Sequence, residues 1–138
     1  MSDTPGAYVA DAGAMIAYVR KEPGGEVFRA TLRAEDAVCY AHAANLAEVF
    51  YDFLRSDGED VALSIIQDLL AVGVGPREDM DSAFWQDVAR IKAGPNPSFA
   101  DCFCLALARR VDGIVLTTDH HELDNDAVRA LCRIRFVR

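Results

Sequence analysis

The chain alternates short apolar runs with longer segments whose apolar residues recur every three or four positions. Ala7-Tyr8-Val9-Ala10 reads as a strand ending at Asp11. Residues 12–22 carry Met15, Ile16 and Val19 at helical spacing, and Pro23-Gly24-Gly25 stops that helix. Residues 26–33 form a second short helix, and 37–40 a second strand. Across 43–55, Leu46, Val49, Phe50, Phe53 and Leu54 share a helical face, as do Val61, Ile65, Ile66, Leu69 and Leu70 across 59–72. A strand near 72–76 is weakly signalled, because Gly73, Gly75 and Pro76 all discourage one. Residues 80–92 are helical, with Asp79 or Asp81 as the cap. The loop 94–97 separates them from a helix capped by Ser98 and running to 110. Residues 113–117 are apolar enough for a strand buried on both faces. A short helix over 125–131 and a strand over 134–137 complete the pattern. Strands alternating with helices predict an α/β fold with a mostly parallel sheet. No repeat or linker divides residues 1–138, which read as a single domain.

Charge changes the picture. The 138 residues hold 14 Lys+Arg and 22 Asp+Glu, a net charge of -8. A nucleic-acid binder usually shows a basic footprint, and this chain as a whole does not. Four arginines, Arg129, Arg133, Arg135 and Arg138, lie in a carboxyl-terminal stretch without acids, so the remainder is more acidic still. Two readings follow: a solvated, solubilising surface, or carboxylates converging on a site that needs a cation. A hydrophobic content of 51% argues against disorder. No apolar run approaches the roughly 18 residues of a membrane span. Residues 1–6 lack the cationic start of a secretory signal. The four cysteines, Cys39, Cys102, Cys104 and Cys132, form no CxxC pair and read as reduced, mostly buried thiols of a cytoplasmic protein.

Four acids stand out by position. Asp11 and Asp119 follow predicted strands, where parallel sheets place their ligands. Glu48 and Asp101 lie inside helical text among apolar neighbours. Each has an ordinary alternative: Asp11 as a helix cap, Asp101 as a first-turn acid complementing the helix dipole, and Glu48 as an exposed position near Asp52. Together they form a more specific set, on four distinct elements.

In the order 8–17 (Tyr8 to Ala17), Asn45-Leu46-Ala47-Glu48-Val49-Phe50-Tyr51, Ser98-Phe99-Ala100-Asp101-Cys102 and 116–123 (Leu116 to Leu123), the chain resembles PIN-domain nucleases, and in particular the VapC-type toxins of bacterial toxin–antitoxin pairs. The resemblance spans residues 7–137. It implies a three-layer α/β/α sandwich around a five-stranded parallel sheet of order 3-2-1-4-5, with Asp11 beside Asp119 at the switch point. Two positions depart from the family pattern. Gly13 stands where the family usually has Ser or Thr, and Leu123 where it usually has an aromatic residue.

The implied activity is metal-dependent hydrolysis of RNA phosphodiester bonds. Asp11, Glu48, Asp101 and Asp119 would be the catalytic, metal-binding acids, and Mg²⁺ or Mn²⁺ the cofactor, since hard oxygen donors suit both. Thr117 and Ser98 would orient them. Arg20, Arg109, His120 and His121 are candidate substrate contacts, and the arginines have surface salt bridges as their ordinary alternative. His42 reads as a cap or packing residue. The resemblance also implies an antitoxin and a homodimer as partners. Two rivals remain: a PIN-like binding or scaffold protein with a weakened site, which Gly13 favours, and a phosphotransferase with Asp11 as nucleophile. The second lacks the usual Asp two residues on and an evident phosphate-binding lysine.

Overall fold

The computed structural model describes residues 6–138. The expectation about residues 1–6 falls almost wholly outside that range. The elements run β1 (Ala7–Ala10), α1 (Ala12–Val19), α2 (Gly25–Arg33), β2 (Val38–His42), α3 (Ala43–Asp57), α4 (Glu59–Ala71), β3 (Val74–Arg77), α5 (Ser82–Ala93), α6 (Phe99–Val111), β4 (Ile114–Thr117), α7 (His120–Leu123), α8 (Asp126–Arg129) and β5 (Arg133–Phe136). The sheet has five strands in the order β3-β2-β1-β4-β5, and every neighbouring pair is parallel. The mostly parallel α/β sheet is what the pattern predicts, and the α/β/α layers and strand order are those that the resemblance implies.

Alternation along the strands builds the layers. Val9 and Val115 face α5 and α6, together with Val88, Ile91 and Leu105. Ala10 and Leu116 face α1 to α4, with Met15, Phe28, Val49 and Leu69. Helix α6 is the most enclosed element, buried without interruption from Asp101 to Ala108 between the sheet, α3 and α5. Cys102 and Cys104 are therefore both buried, although two residues apart. All four cysteines are free, and burial pushes their thiols up, to about 12 for Cys39.

Several boundaries move, each for a local reason. Strand β2 continues to His42 because Ala41 and His42 pair with Pro76 and Arg77 of β3. β3 tolerates Pro76 because it is an edge strand. Helix α1 stops at Val19, and Lys21 beyond it takes a left-handed conformation at φ 57°. Asp81, not Asp79, caps α5, accepting a hydrogen bond from the Phe84 amide at 3.0 Å. The one-turn helix α7 has no counterpart in the sequence reading; it forms where Asp119 accepts from the Glu122 amide at 2.9 Å.

Candidate active site

The register of β1 against β4 sets the site. Ala10 lies beside Leu116, and the Asp11 amide donates to the Leu116 carbonyl at 3.1 Å. Asp11 thus arrives next to Thr117, whose hydroxyl donates to Asp11 Oδ2. The other carboxylate oxygen caps α1, accepting from the Ala14 amide at 2.8 Å. Thr117 Oγ1 also accepts from the Asp119 amide at 2.9 Å. A single hydroxyl therefore ties the first acid to the loop that carries the last one. The capping role of Asp11 and its place in the cluster coexist, because one oxygen serves each.

Asp101 enters from the first turn of α6 and is 7% exposed. Its amide donates to Ser98 Oγ at 3.4 Å, and Ser98 itself is exposed. Glu48 enters from α3 and stands at the solvent-facing mouth. Four elements thus bring four carboxylates together. Repulsion acts on Asp11 from Asp101 and Asp119, on Asp101 from Asp119 and Glu48, and on Glu48 from Asp119. Burial pushes the Asp11 carboxyl up to about 7, against the pull of Thr117 and the Ala14 amide. Burial likewise raises Asp101 to about 6, with Ser98 opposing. Glu48 is raised too, by partial shielding and then by its acidic neighbours. Among the described residues, no ion pair includes any of the four.

Such a set repels itself unless a cation intervenes. Its carboxylate oxygens are the hard donors that Mg²⁺ and Mn²⁺ prefer. Among the described residues, no group of three or more Asp, Glu, His or Cys side chains is arranged to close directly on a metal ion. Mg²⁺ usually keeps several waters and takes only one or two carboxylates directly. The donor set therefore fits an ion held partly through its own water shell.

The candidate substrate contacts lie elsewhere or are engaged. Arg20 caps the carboxyl end of α1, roughly 13 Å along the helix from Asp11 at 1.5 Å per residue. There it pairs with Asp52 at 3.1 Å and covers the Phe53 ring. Arg109 lies toward the carboxyl end of α6, roughly 12 Å from Asp101 on the same measure. It pairs with Asp87 at 3.0 Å and donates to the Leu131 carbonyl. Both arginines thus take their ordinary alternative, because each sits at the wrong end of a helix whose first turn faces the site. His120 uses both ring nitrogens, on Asp124 and on the Arg138 carbonyl, and stacks on Phe136 at 4.0 Å. Only His121 of the four is exposed on α7 without such an engagement among the described residues. His42 does what its position suggests: Nδ1 accepts from the Ala44 amide, and the ring packs against Phe84 and Phe103.

Sequence reasoning overlooks Asn45. It is fully buried on α3, one turn before Glu48. Its amide nitrogen donates to the Ala100 carbonyl at 3.1 Å, which fastens α3 to the start of α6 beside Asp101. Its Oδ1 is buried without a partner among the described residues. The signal that could have found it is a polar residue on an otherwise apolar helical face.

Comparison with known proteins agrees with this fold. The sequence has no match among curated proteins. The fold is similar to VapBC2 from Rickettsia felis bound to a promoter DNA fragment, with a TM-score of 0.72 at 13% identity over 94% of this chain and 98% of that one. It is similar to VapBC-1 from nontypeable Haemophilus influenzae, with a TM-score of 0.70 at 13% identity over 95% and 98%. The sarcin–ricin loop cleaving toxin VapC20 of Mycobacterium tuberculosis follows at 0.61, with 15% identity over 83% and 91%. The PIN domain family matches residues 8–126, which contain all four carboxylates, and the chain belongs to that family.

Proposed function

We propose that this chain is a metal-dependent endoribonuclease that hydrolyses RNA phosphodiester bonds as the toxin of a toxin–antitoxin pair. The family is one of nucleases. The observation that carries the reading is the convergence of Asp11, Glu48, Asp101 and Asp119 with, among the described residues, no cationic side chain paired to any of them. Asp11 and Asp101 are the main donors in this reading, and Glu48 and Asp119 complete the set. A divalent cation bound there would supply charge for the scissile phosphate and acidify water. Thr117 holds the Asp11 carboxylate in one orientation, so little rearrangement is needed when a cation arrives. Ser98 fixes the start of α6, and with it Asp101. The overall acidity favours recognition of one structured RNA loop over unspecific backbone binding, which gains its affinity from basic residues.

The same reading includes an antitoxin as partner. A groove of about 590 Å³ between α1, α2 and α4, lined by Tyr18, Val19, Arg29, Ile65 and Val72 among others, offers apolar wall and charged rim together. VapBC complexes are among the similar structures. Among the described residues, no helix is long and apolar enough to cross a membrane.

The test is cleavage of a structured RNA pool with Mg²⁺, with Mn²⁺ and with chelator. Cleavage that needs the cation and disappears in a folded Asp101→Asn variant supports the reading. No cleavage under any condition overturns it and leaves the binding or scaffold alternative.

A further inference from the structure

Gly13 removes a hydroxyl from the first turn of α1, and the structure shows what fills the space. A Cβ built on Gly13 would meet Thr118 Oγ1 at 2.6 Å, closer than real side chains approach. The same point lies 3.5 Å from Asp11 Oδ1 and 4.0 Å from Asp11 Oδ2. The Thr118 hydroxyl therefore occupies the volume of a side chain at position 13, on the flank of the Asp11 carboxylate. It makes no hydrogen bond to protein among the described residues, whereas the neighbouring Thr117 hydroxyl is used twice. Thr118 is half-buried, so its hydroxyl stands at the edge of the site without a partner among the described residues.

We infer that Thr118 is a positioning residue whose hydroxyl replaces the one missing at position 13, orienting water or a hydrated cation beside Asp11. The inference rests on the cation-binding reading above. It makes positions 13 and 118 alternatives: a side chain at 13 and the present Thr118 rotamer cannot share the space, so the hydroxyl comes from α1 or from the loop after β4. Gly13 is then no sign of a decaying site, because the small residue is what lets Thr118 in.

A swap tests this. Thr118→Val keeps the shape and removes the hydroxyl, and Thr118→Ala empties the space. Gly13→Ser with Thr118→Ala moves the hydroxyl to the other side of it. Mn²⁺ affinity is read by calorimetry on each folded full-length variant, with thermal unfolding as the check on folding. The expected result is at least about tenfold weaker Mn²⁺ binding for Thr118→Val and Thr118→Ala, the lower end for an orienting partner. The double variant should recover to within about threefold of the parent. Unchanged Mn²⁺ affinity in Thr118→Val, with the parent binding normally, overturns the role of the hydroxyl alone. Failure of the double variant to recover overturns the exchange of positions. A parent chain that binds no Mn²⁺ contradicts the proposed function, and this inference with it.

Discussion

Two acidic clusters in this protein have opposite electrostatics. Asp79 and Asp81, just before α5, are held down to about 2 by hydrogen bonds from Arg77 and Arg110 respectively. Arg110 reaches both, at 3.0 Å and 2.7 Å, and Arg77 reaches Asp79 at 2.9 Å. At the carboxyl edge of β1 and β4, Asp11 and Asp101 are instead pushed up, to about 7 and about 6. The residue type is the same; what differs is whether the fold supplies a cation. In the first cluster it does, and the acids join α5 to α6. In the second it supplies hydroxyls and amides, and the charge is left for something from outside. Unpaired buried charge is costly, so two buried carboxylates, Asp11 and Asp101, facing two more from other elements mark a site in a way that acidity alone does not.

The largest expected contrast is in activity. Asp11→Asn and Asp101→Asn should each lower cation-dependent RNA cleavage at least about 100-fold, beyond the usual effect of losing an orienting partner. Asp81→Asn should leave the cleavage rate within about twofold, since it breaks a surface pair. Comparable losses in all three variants would erase the distinction between the clusters.

Stability should move the opposite way. Below about pH 4, Asp11 is protonated in both folded and unfolded chains and carries no penalty. As pH rises toward 7, the unfolded chain releases that proton while the folded one retains it, so stability falls. Holding the carboxyl near 7 rather than 3.8 corresponds to roughly 4 kcal/mol lost once the pH exceeds 7. Asp11→Asn should recover part of this at pH 8 in chelator, and denaturant unfolding against pH reads it directly. Asp79 has the reverse sign: its contribution is present above about pH 4 and is lost as pH falls through about 2. A parent whose stability is flat from pH 4 to 8, and equal to that of Asp11→Asn, would break the comparison.

Smaller effects sharpen it. Asn45→Leu removes the side-chain donor that ties α3 to the Ala100 carbonyl and should destabilise the chain by about 1 kcal/mol in thermal or urea unfolding. It should also weaken cleavage by loosening α3, and with it Glu48, from α6. Arg20→Ala and Arg109→Ala remove partly exposed ion pairs and should each change stability by no more than about 1 kcal/mol. Neither should alter cleavage by more than about twofold, because both stand at the far ends of their helices.

The sequence carries the skeleton of this result. Asp11 and Asp119 are legible because strand ends in parallel sheets are ligand positions, and Ser98 before Asp101 is legible as a helix start. The strand order follows from the family motifs, not from periodicity. Other features are invisible for a physical reason: they depend on residues distant in sequence meeting in space. Nothing in the local pattern tells that Arg110 will bind Asp81 rather than substrate, or that Thr118 will fill the volume over Gly13. The buried Asn45 and the single turn of α7 fail differently. One is a polar residue on an apolar face, and the other is shorter than any periodicity can register.

The most direct test of the uncompensated cluster is thermal unfolding at pH 8 with and without Mn²⁺, for the parent and for Asp11→Asn. At a cation concentration about 100 times Kd the parent should gain roughly 2.7 kcal/mol and melt correspondingly higher. Asp11→Asn should melt above the parent in chelator and gain much less from the cation. No shift in the parent, or an equal shift in both proteins, would contradict the claim that these carboxylates await a cation.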